Sequence, residues 1–308
     1  MYHLKPFPPF LTTWLTFALA AVPLTTGSIW ATVRTTSMMT DIAFAEWAIL
    51  TVSLTVVGCI TQIGFKPGYM QEVTDIGKEK RNSALFSSTI ALVITGFLGG
   101  VFLQLVFTTL YLLSYWENLS AIYILPIYCL INNAIMMFHT DLRILGQAKT
   151  LAWLSILQIP LFVIFLEIFL FLNFDPLASF FSANSFSSFI LLIYLFFLSG
   201  ISIFEKFNLD FIKRACLMGT PVMGGLLSRY CSDLVVVATF RWAMNDQIAG
   251  IFGVATRLCE PLLIIYIGSF QMAWGSHVYN WIKKSPSGEV VSKNSSFSWF
   301  LVILGIPI

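Results

Sequence analysis

The chain has 308 residues, of which 57% are hydrophobic and only 10% are charged. Soluble domains carry roughly 25% charged residues, so this composition argues against a soluble globular core and indicates an integral membrane protein. The net charge of +2 gives no sign of a nucleic-acid partner, and the lipid bilayer is the expected partner. The five cysteines lie in apolar segments without the paired spacing of a metal or redox site, so we expect neither a metal nor a cofactor.

Apolar segments follow one another along almost the whole chain. A spanning helix needs about 20 mostly apolar residues, and eight complete segments meet that requirement. They are residues 10–33, 43–65, 83–113, 119–140, 151–173, 180–204, 217–240 and 248–273. A ninth begins near Phe297, and the sequence stops inside it at Ile308. The pattern therefore predicts an all-α, polytopic helical membrane protein with eight complete spans and a partial ninth.

The distribution of Lys and Arg predicts the orientation of these spans. Cytoplasmic loops of membrane proteins carry an excess of both residues. Outside the predicted spans, every Lys and Arg except Arg34 and Arg241 falls on the same side as the amino terminus. We therefore expect a cytoplasmic amino terminus. Residues 64–82 are expected to lie along the cytoplasmic surface as an amphipathic segment, or to form a solvated loop.

A weak internal repeat links the start of the chain to its last third. Pro23 in the first span matches Pro221 in the seventh, as AVPL against GTPV. Asp41 opens DIAFAEWAIL, and Asp246 opens DQIAGIFGVA at a similar offset. Repeats of this kind are common in transporters. Pro23 and Pro221 are the expected helix hinges, because proline interrupts helical hydrogen bonding.

This repeat divides the chain into one complete unit and one incomplete unit. We expect residues 1–205 to form an amino-terminal lobe of six transmembrane helices. Residues 206–308 are then the first part of a carboxy-terminal lobe, which holds about half of its helices.

Charges at bilayer depth are the strongest functional signal. Arg229 and Asp233 lie four residues apart in the seventh span, and Arg257 and Glu260 lie three apart in the eighth. Both spacings place the partners on one helix face. Intramembrane charge is expensive and by default marks a functional site. Two interpretations stay open: structural ion pairs between helices, or a central cavity whose arginines hold an anion while the carboxylates balance them.

Two carboxylates of the first lobe are candidate coupling residues. Glu167 in the fifth span has no partner nearby in the sequence, which suits a group that carries H+ or Na+ coupling. An ordinary position near the outer interface is the alternative. Glu46 lies near the outer end of the second span, opposite Arg34 across a short loop, and the alternative to a coupling role is a surface pair between these two.

The motifs of the last third resemble a known family. Gly219-Thr220-Pro221 and Ser232-Asp233, followed by AGIFGVATRL at 249–258 and FQMAW at 270–274, are similar to the corresponding motifs of Wzx-type lipid-linked oligosaccharide flippases. These proteins form the polysaccharide-export branch of the MOP superfamily. The usual basic residue after Ser-Asp is Leu234 here, and the positive charge stands instead at Arg229.

This resemblance implies a MATE/MOP-like, V-shaped pair of helical bundles around a central cavity. It implies translocation of a polyprenyl-diphosphate-linked oligosaccharide repeat unit across the inner membrane of a bacterium, for surface polysaccharide biosynthesis. The deep cations available for the diphosphate are Arg229 and Arg257, with Asp233 and Glu260 beside them. Glycan polymerase machinery is an expected partner. Family members have two complete lobes, so the chain is expected to be a fragment or a truncated product.

Two other functions stay open. A MATE-like cation or drug antiporter of the same superfamily is one, although buried arginines disfavour a cationic substrate. A membrane-embedded glycan polymerase or acyltransferase is the other. The short outer loops leave no room for such an enzyme's catalytic loop, and no phosphate-binding glycine loop followed by Lys occurs. We therefore expect a transporter rather than an enzyme.

Overall fold

Ten helices account for nearly all of the described chain. This computed structural model describes residues 8–62, 64–73, 78–201, 205–243 and 245–263. The described residues are 88% helical and contain no strand, which confirms the predicted all-α membrane fold. The helices are α1 (Pro8–Thr36), α2 (Asp41–Gln62), α3 (Phe65–Val73), α4 (Lys78–Leu112), α5 (Leu119–Ile122), α6 (Leu125–Ile144), α7 (Ala148–Phe171), α8 (Pro176–Ser199), α9 (Leu209–Ala243) and α10 (Asp246–Leu263).

Within the described residues, five helices are long and apolar enough to cross a bilayer. The stretches that qualify are Trp14–Thr36, Asp41–Gln62, Lys80–Leu112, Lys149–Phe171 and Pro176–Ser199. The two halves of α9 form a sixth candidate span if they are counted as one bent helix. The predicted eighth span is described as α10 up to Leu263, and the predicted ninth lies outside the described residues.

The fourth predicted span, residues 119–140, is not one continuous helix. Its first turn forms α5, and the chain turns at Tyr123 before α6 begins at Leu125. Pro126 lies in the first turn of α6, where its missing N–H needs no helical acceptor. In a helix interior the same proline would break the hydrogen-bond ladder, which explains the interruption. Helix α6 is also too polar to qualify as a candidate span.

Helix α9 is longer than the predicted seventh span and is bent. It begins at Leu209, and its halves Leu209–Pro221 and Met223–Ala243 meet at an angle of 50°. The bend lies at Pro221, whose ring clashes with the preceding turn and whose nitrogen donates no hydrogen bond. Helix α1 passes through Pro23 as a single helix.

The two ends of the bundle differ in charge. One end, the basic end, holds Lys66, Arg143 and the salt bridge of Arg214 with Glu72. The opposite end holds the ion pairs of Arg34 and Arg241. This difference between the ends agrees with the distribution of Lys and Arg along the sequence, which predicts that the basic end is cytoplasmic. The orientation itself stays a prediction.

Hydrophobic packing joins α9 to the first six predicted spans at both ends. At the basic end, Phe211 and Ala215 of α9 are buried in one cluster with Tyr69 of α3. At the opposite end, Val237 of α9 is buried in a second cluster with Trp47 of α2. The predicted boundary near residue 205 is therefore not a gap in the packing, and the division into lobes stays a prediction.

Backbones meet directly where the α2–α3 junction crosses α9. Gly64 has a φ of 67°, in the left-handed region that favours glycine. A Cβ on Gly64 would collide with the backbone of Gly219, and a Cβ on Gly219 would collide with Gly64. This pair of glycines therefore holds α9 against the basic end of α2.

Helix α3 lies within the segment predicted to run along the membrane surface or to form a solvated loop. One of its faces is buried, because Phe65, Tyr69 and Val73 follow one another at intervals of four residues and are all less than 4% exposed. The ring of Tyr69 packs edge-on against Phe211 of α9, with 5.9 Å between centroids. This segment is thus amphipathic, and its apolar face contacts protein.

Candidate functional site

A cavity of 380 Å³ lies between α2, α6 and α9. Its volume is in the range of small-molecule sites, about 300–1,000 Å³. Helices α2 and α6 supply most of the wall, Met223 and Tyr230 of α9 supply part of it, and Gly64 and Lys66 at the start of α3 supply the rest. The described lining consists of Thr51, Leu54, Thr55, Gly58, Cys59, Gln62, Gly64, Lys66, Tyr128, Cys129, Asn132, Asn133, Met136, Met223 and Tyr230.

The lining of this cavity is mostly apolar, and the polar groups that it does contain are not acidic. Among its described residues, Lys66 is the charged one, and amides and hydroxyls supply the other polar groups. Binding sites place charge of the opposite sign against their ligand. The described wall therefore suits an anionic or neutral polar group better than a cation.

Two asparagines of α6 have different roles in the wall. Asn133 is buried, and its amide donates to Thr61 Oγ1 of α2 at 3.0 Å and to the Leu92 carbonyl of α4 at 3.4 Å. It therefore ties three helices together. Asn132 donates to the Tyr128 carbonyl of its own helix at 3.0 Å and remains partly exposed on the cavity wall.

Lys66 lies at the basic end of the cavity, in α3. Burial lowers the pKa of Lys66 to about 8, and the nearby positive charge of Arg143 acts in the same direction. The folded pKa is thus below that of the unfolded chain, so the charged lysine costs stability below about pH 8. That cost is relieved as the pH rises from about 8 towards 10.5.

Replacing Lys66 by Met is expected to raise the melting temperature of the detergent-solubilised chain near neutral pH. The shift in pKa corresponds to a gain of up to about 3 kcal/mol at about pH 7. The gain should shrink at about pH 9.5, because the wild-type lysine is then mostly neutral in the folded protein. Thermal unfolding at both pH values measures it, with exposed Lys149→Met as the matched control. An equal gain at both pH values would contradict the account.

The predicted charge pair of the seventh span lies on α9, outside the described lining of the cavity. Arg229 and Asp233 are exposed, and neither forms a hydrogen bond or ion pair with another described residue. Tyr230, the neighbour of Arg229, lines the cavity wall. A rotation of about 100° per residue therefore places Arg229 and Asp233 on the adjoining face of α9.

The predicted pair of the eighth span cannot be placed in the same way. Arg257 and Glu260 belong to α10, and their side chains lie outside the described part of the chain. The four central charges therefore stay a predicted set, of which the structure locates Arg229 and Asp233.

The expected surface pair between Arg34 and Glu46 is wrong. Arg34 Nε instead lies 3.0 Å from Oε1 of Glu167, and both side chains are partly exposed, at 40% and 43%. The cause is tertiary, since α1 packs along α7 and brings its last turn to the end of α7. Glu167, which has no partner nearby in the sequence, thus has one in the fold.

Glu46 is fully buried and belongs to a different cluster. It accepts hydrogen bonds from the backbone N–H groups of Glu117 at 2.5 Å and Asn118 at 3.2 Å. Its Oε1 also lies 3.6 Å from Nη2 of Arg241, near the end of α9. These three partners offset part of the cost of holding the carboxylate out of contact with water.

Arg241 forms the centre of this group, the Arg241 cluster, which comprises Arg241, Glu46, Asp246, Tyr115 and Trp116. The guanidinium lies 3.2 Å from Asp246 of α10, donates to the Tyr115 carbonyl at 3.1 Å and stacks 5.2 Å from the Trp116 ring centre. Its side chain is only 10% exposed. The cluster therefore joins α2, α9, α10 and the α4–α5 connection at the opposite end.

Sequence reasoning missed this cluster, because it assigned Arg241 to an outer loop. The available signal was a carboxylate, Glu46, inside a span that had no cation on its own face. The partner lies 195 residues away in sequence, as the difference between positions 46 and 241 shows, so no local spacing indicates it.

Replacing Glu46 by Gln is expected to destabilise the folded chain by about 3 kcal/mol, the usual cost of breaking a buried charge pair. The new amide cannot accept both backbone N–H groups, and Arg241 loses one of its two carboxylates. Glu167→Gln is the matched control, because its pair with Arg34 is exposed and should contribute at most about 1 kcal/mol. Thermal unfolding in detergent should give a clearly larger loss for Glu46→Gln. Equal losses of stability would show that the Arg241 cluster contributes no more than the exposed pair of Arg34 and Glu167.

No family model matches the sequence, and no curated protein matches it. Solved structures do resemble its fold. The MATE multidrug transporter DinF-BH, solved in complex with a bound ligand, is similar with a TM-score of 0.68 at 15% identity, covering 91% of this chain and 67% of that chain. A second solved chain, described as "protein A", gives a TM-score of 0.67 at 16% identity with the same coverage.

At this level of identity the similarity shows the fold alone. The chain is a polytopic helical membrane protein with a MATE-type fold, as the predicted MATE/MOP-like architecture required. The helices α2 and α10 begin at Asp41 and Asp246, the two residues that the repeat aligns.

Proposed function

We propose that this chain belongs to a membrane transporter that moves an anionic, polar-headed lipid-linked substrate across the inner membrane of a bacterium. The substrate class is a polyprenyl-diphosphate-linked oligosaccharide repeat unit, flipped from the cytoplasmic to the outer leaflet for surface polysaccharide. The observation that carries the proposal is the charge of the cavity, where Lys66 is the charged residue among the described lining residues.

A diphosphate needs cationic and hydrogen-bonding partners during its passage. Lys66 lies at the basic end of the cavity, and Arg229 lies on the adjoining face of α9 next to Tyr230. Gln62 and Asn132 add amide groups that suit a phosphate or a sugar hydroxyl. Arg257, Asp233 and Glu260 are proposed to complete the site between the lobes.

Transport through this site requires the two lobes to separate at alternate ends. A cavity of 380 Å³ has room for a drug-sized group, so an oligosaccharide needs a wider opening. The Gly64–Gly219 contact joins the predicted lobes at the basic end, and the Arg241 cluster joins them at the opposite end. We propose that each contact opens in turn, and that Glu46 or Glu167 links this opening to H+ or Na+.

A MATE-like drug antiporter is the second candidate, and the fold favours it. DinF-BH is a MATE multidrug transporter, and its fold is similar over 91% of this chain. The described cavity wall argues against a cationic cargo, because its described residues include no carboxylate. The two candidates therefore differ in the charge of the substrate.

Deletion of the gene with rescue is the experiment that tests the proposed function. The deletion strain should accumulate a single-repeat lipid-linked oligosaccharide and lose surface polysaccharide, as measured by lipid extraction and mass spectrometry. Expression of this chain, or of the longer product if the coding frame continues, should relieve the accumulation. Arg229→Gln should relieve it roughly tenfold less, because a charge-assisted contact to the diphosphate is lost.

The matched control is Arg214→Gln, which removes an exposed arginine of the same helix that pairs with Glu72 at 3.1 Å. This variant should rescue nearly as well as the wild type. A deletion strain that accumulates no lipid-linked oligosaccharide but becomes sensitive to cationic drugs would reject the flippase and support the antiporter.

A further inference from the structure

Three basic side chains lie near one another at the basic end of the cavity, and none has an acidic partner among the described residues. They are Lys66 of α3 and His139 and Arg143 of α6, and His139 lies within electrostatic range of both others. None of the three forms a salt bridge with another described residue. Lys66 and Arg143 thus place two positive charges beside the imidazole of His139, and no described residue balances them with a salt bridge.

Two nitrogen atoms of this group are buried and lack a hydrogen-bond partner among the described residues. They are Nε2 of His139 and Nε of Arg143. Buried polar groups in proteins are almost always hydrogen-bonded, and each exception calls for an explanation. A ligand with acceptor oxygens would satisfy an N–H at each position.

Helical spacing places His139 and Arg143 on the face of α6 that contributes to the cavity wall. Asn132 and Met136 of α6 line the cavity, and His139 and Arg143 follow them at intervals of three and four residues. Such spacing keeps all four on one helix face. Lys66 itself belongs to the lining. This face of α6 therefore extends from the cavity wall to the basic end of the bundle.

The neighbouring carboxylates that the structure describes are engaged elsewhere. Asp141 accepts hydrogen bonds from Nε of Arg81 at 2.8 Å and from the hydroxyl of Tyr69 at 2.8 Å. Glu72 pairs with Arg214 at 3.1 Å. Burying cations without a counter-charge is costly, so an anion from outside the described protein is the simplest group that offsets the cost.

We infer that Lys66, His139 and Arg143 form an anion site at the basic end of the cavity, for a phosphate or diphosphate group. The lysine supplies a point charge, while Arg143 and a Nε2-protonated His139 donate to phosphate oxygens. This role rests on the proposed function: the site binds the diphosphate of the lipid-linked substrate before the diphosphate reaches Arg229. The headgroup of an anionic bilayer lipid is the other source of the same chemistry.

Binding of inorganic pyrophosphate to the purified 308-residue chain in a neutral detergent tests the site. Titration calorimetry should show saturable binding, and the melting temperature should rise with pyrophosphate. Arg143→Gln and Lys66→Gln should each weaken binding roughly tenfold, because each removes a charge-assisted contact. Lys149→Gln, which removes an exposed lysine from the same end of the bundle, should weaken it less than about twofold.

Nanodiscs distinguish the two sources of the anion. Phosphatidylglycerol that competes with pyrophosphate would support the site with a lipid headgroup as its occupant. Absence of competition would support it with the substrate's diphosphate as occupant. Thermal unfolding checks that each variant is folded. Because both Arg143→Gln and Lys66→Gln are measured, the test remains valid if one of them fails to fold. Lack of saturable binding by the wild type would overturn the site, as would equal weakening by Lys149→Gln and Arg143→Gln.

The site and the proposed function fail in different ways. If Arg143→Gln loses pyrophosphate binding but still relieves oligosaccharide accumulation fully, the loading role is overturned and the flippase stands. If the wild type binds pyrophosphate but the deletion strain accumulates no lipid-linked oligosaccharide, the anion site stands and the flippase is rejected.

Discussion

The burial of Arg241 is the constraint on which the contact between the two parts of the chain depends. Its guanidinium is shared by Glu46 of α2 and Asp246 of α10 and covered by Trp116. A buried charge pair contributes little net stability against apolar residues, but it is costly to break. The buried charges of Arg241, Glu46 and Asp246 therefore specify which helices meet at this end. The apolar cluster around Trp47 packs between the same helices.

The cavity lies beside a part of α9 that is bent between two points at which the helix is held against the rest of the bundle. Gly219 contacts Gly64 at the basic end, and Val237 is buried at the opposite end. Between them the bend at Pro221 leaves space against α2 and α6, which Met223 and Tyr230 only partly fill. Separation at either end would widen this space towards that side, which is the movement that alternating access needs.

Much of the fold could be predicted from hydrophobicity and loop charge, because both act locally along a membrane chain. The order of the spans, the helix starts at Asp41 and Asp246 and the bend at Pro221 are local properties. Charge partners were harder to predict: Glu46 pairs with Arg241 rather than with Arg34, because helix packing decides which distant residues meet. The group formed by Lys66, His139 and Arg143 could not be predicted, because nothing in the sequence shows that Lys66 approaches α6.

Transport by the purified chain in proteoliposomes shows whether the cargo is anionic. A labelled polyprenyl-diphosphate oligosaccharide and a cationic fluorescent dye are offered to the same vesicles, and the protected fraction of each is followed over time. We expect translocation of the diphosphate lipid, weakened by Arg229→Gln, and no protein-dependent movement of the dye. Transport of the dye without movement of the diphosphate lipid would contradict this expectation.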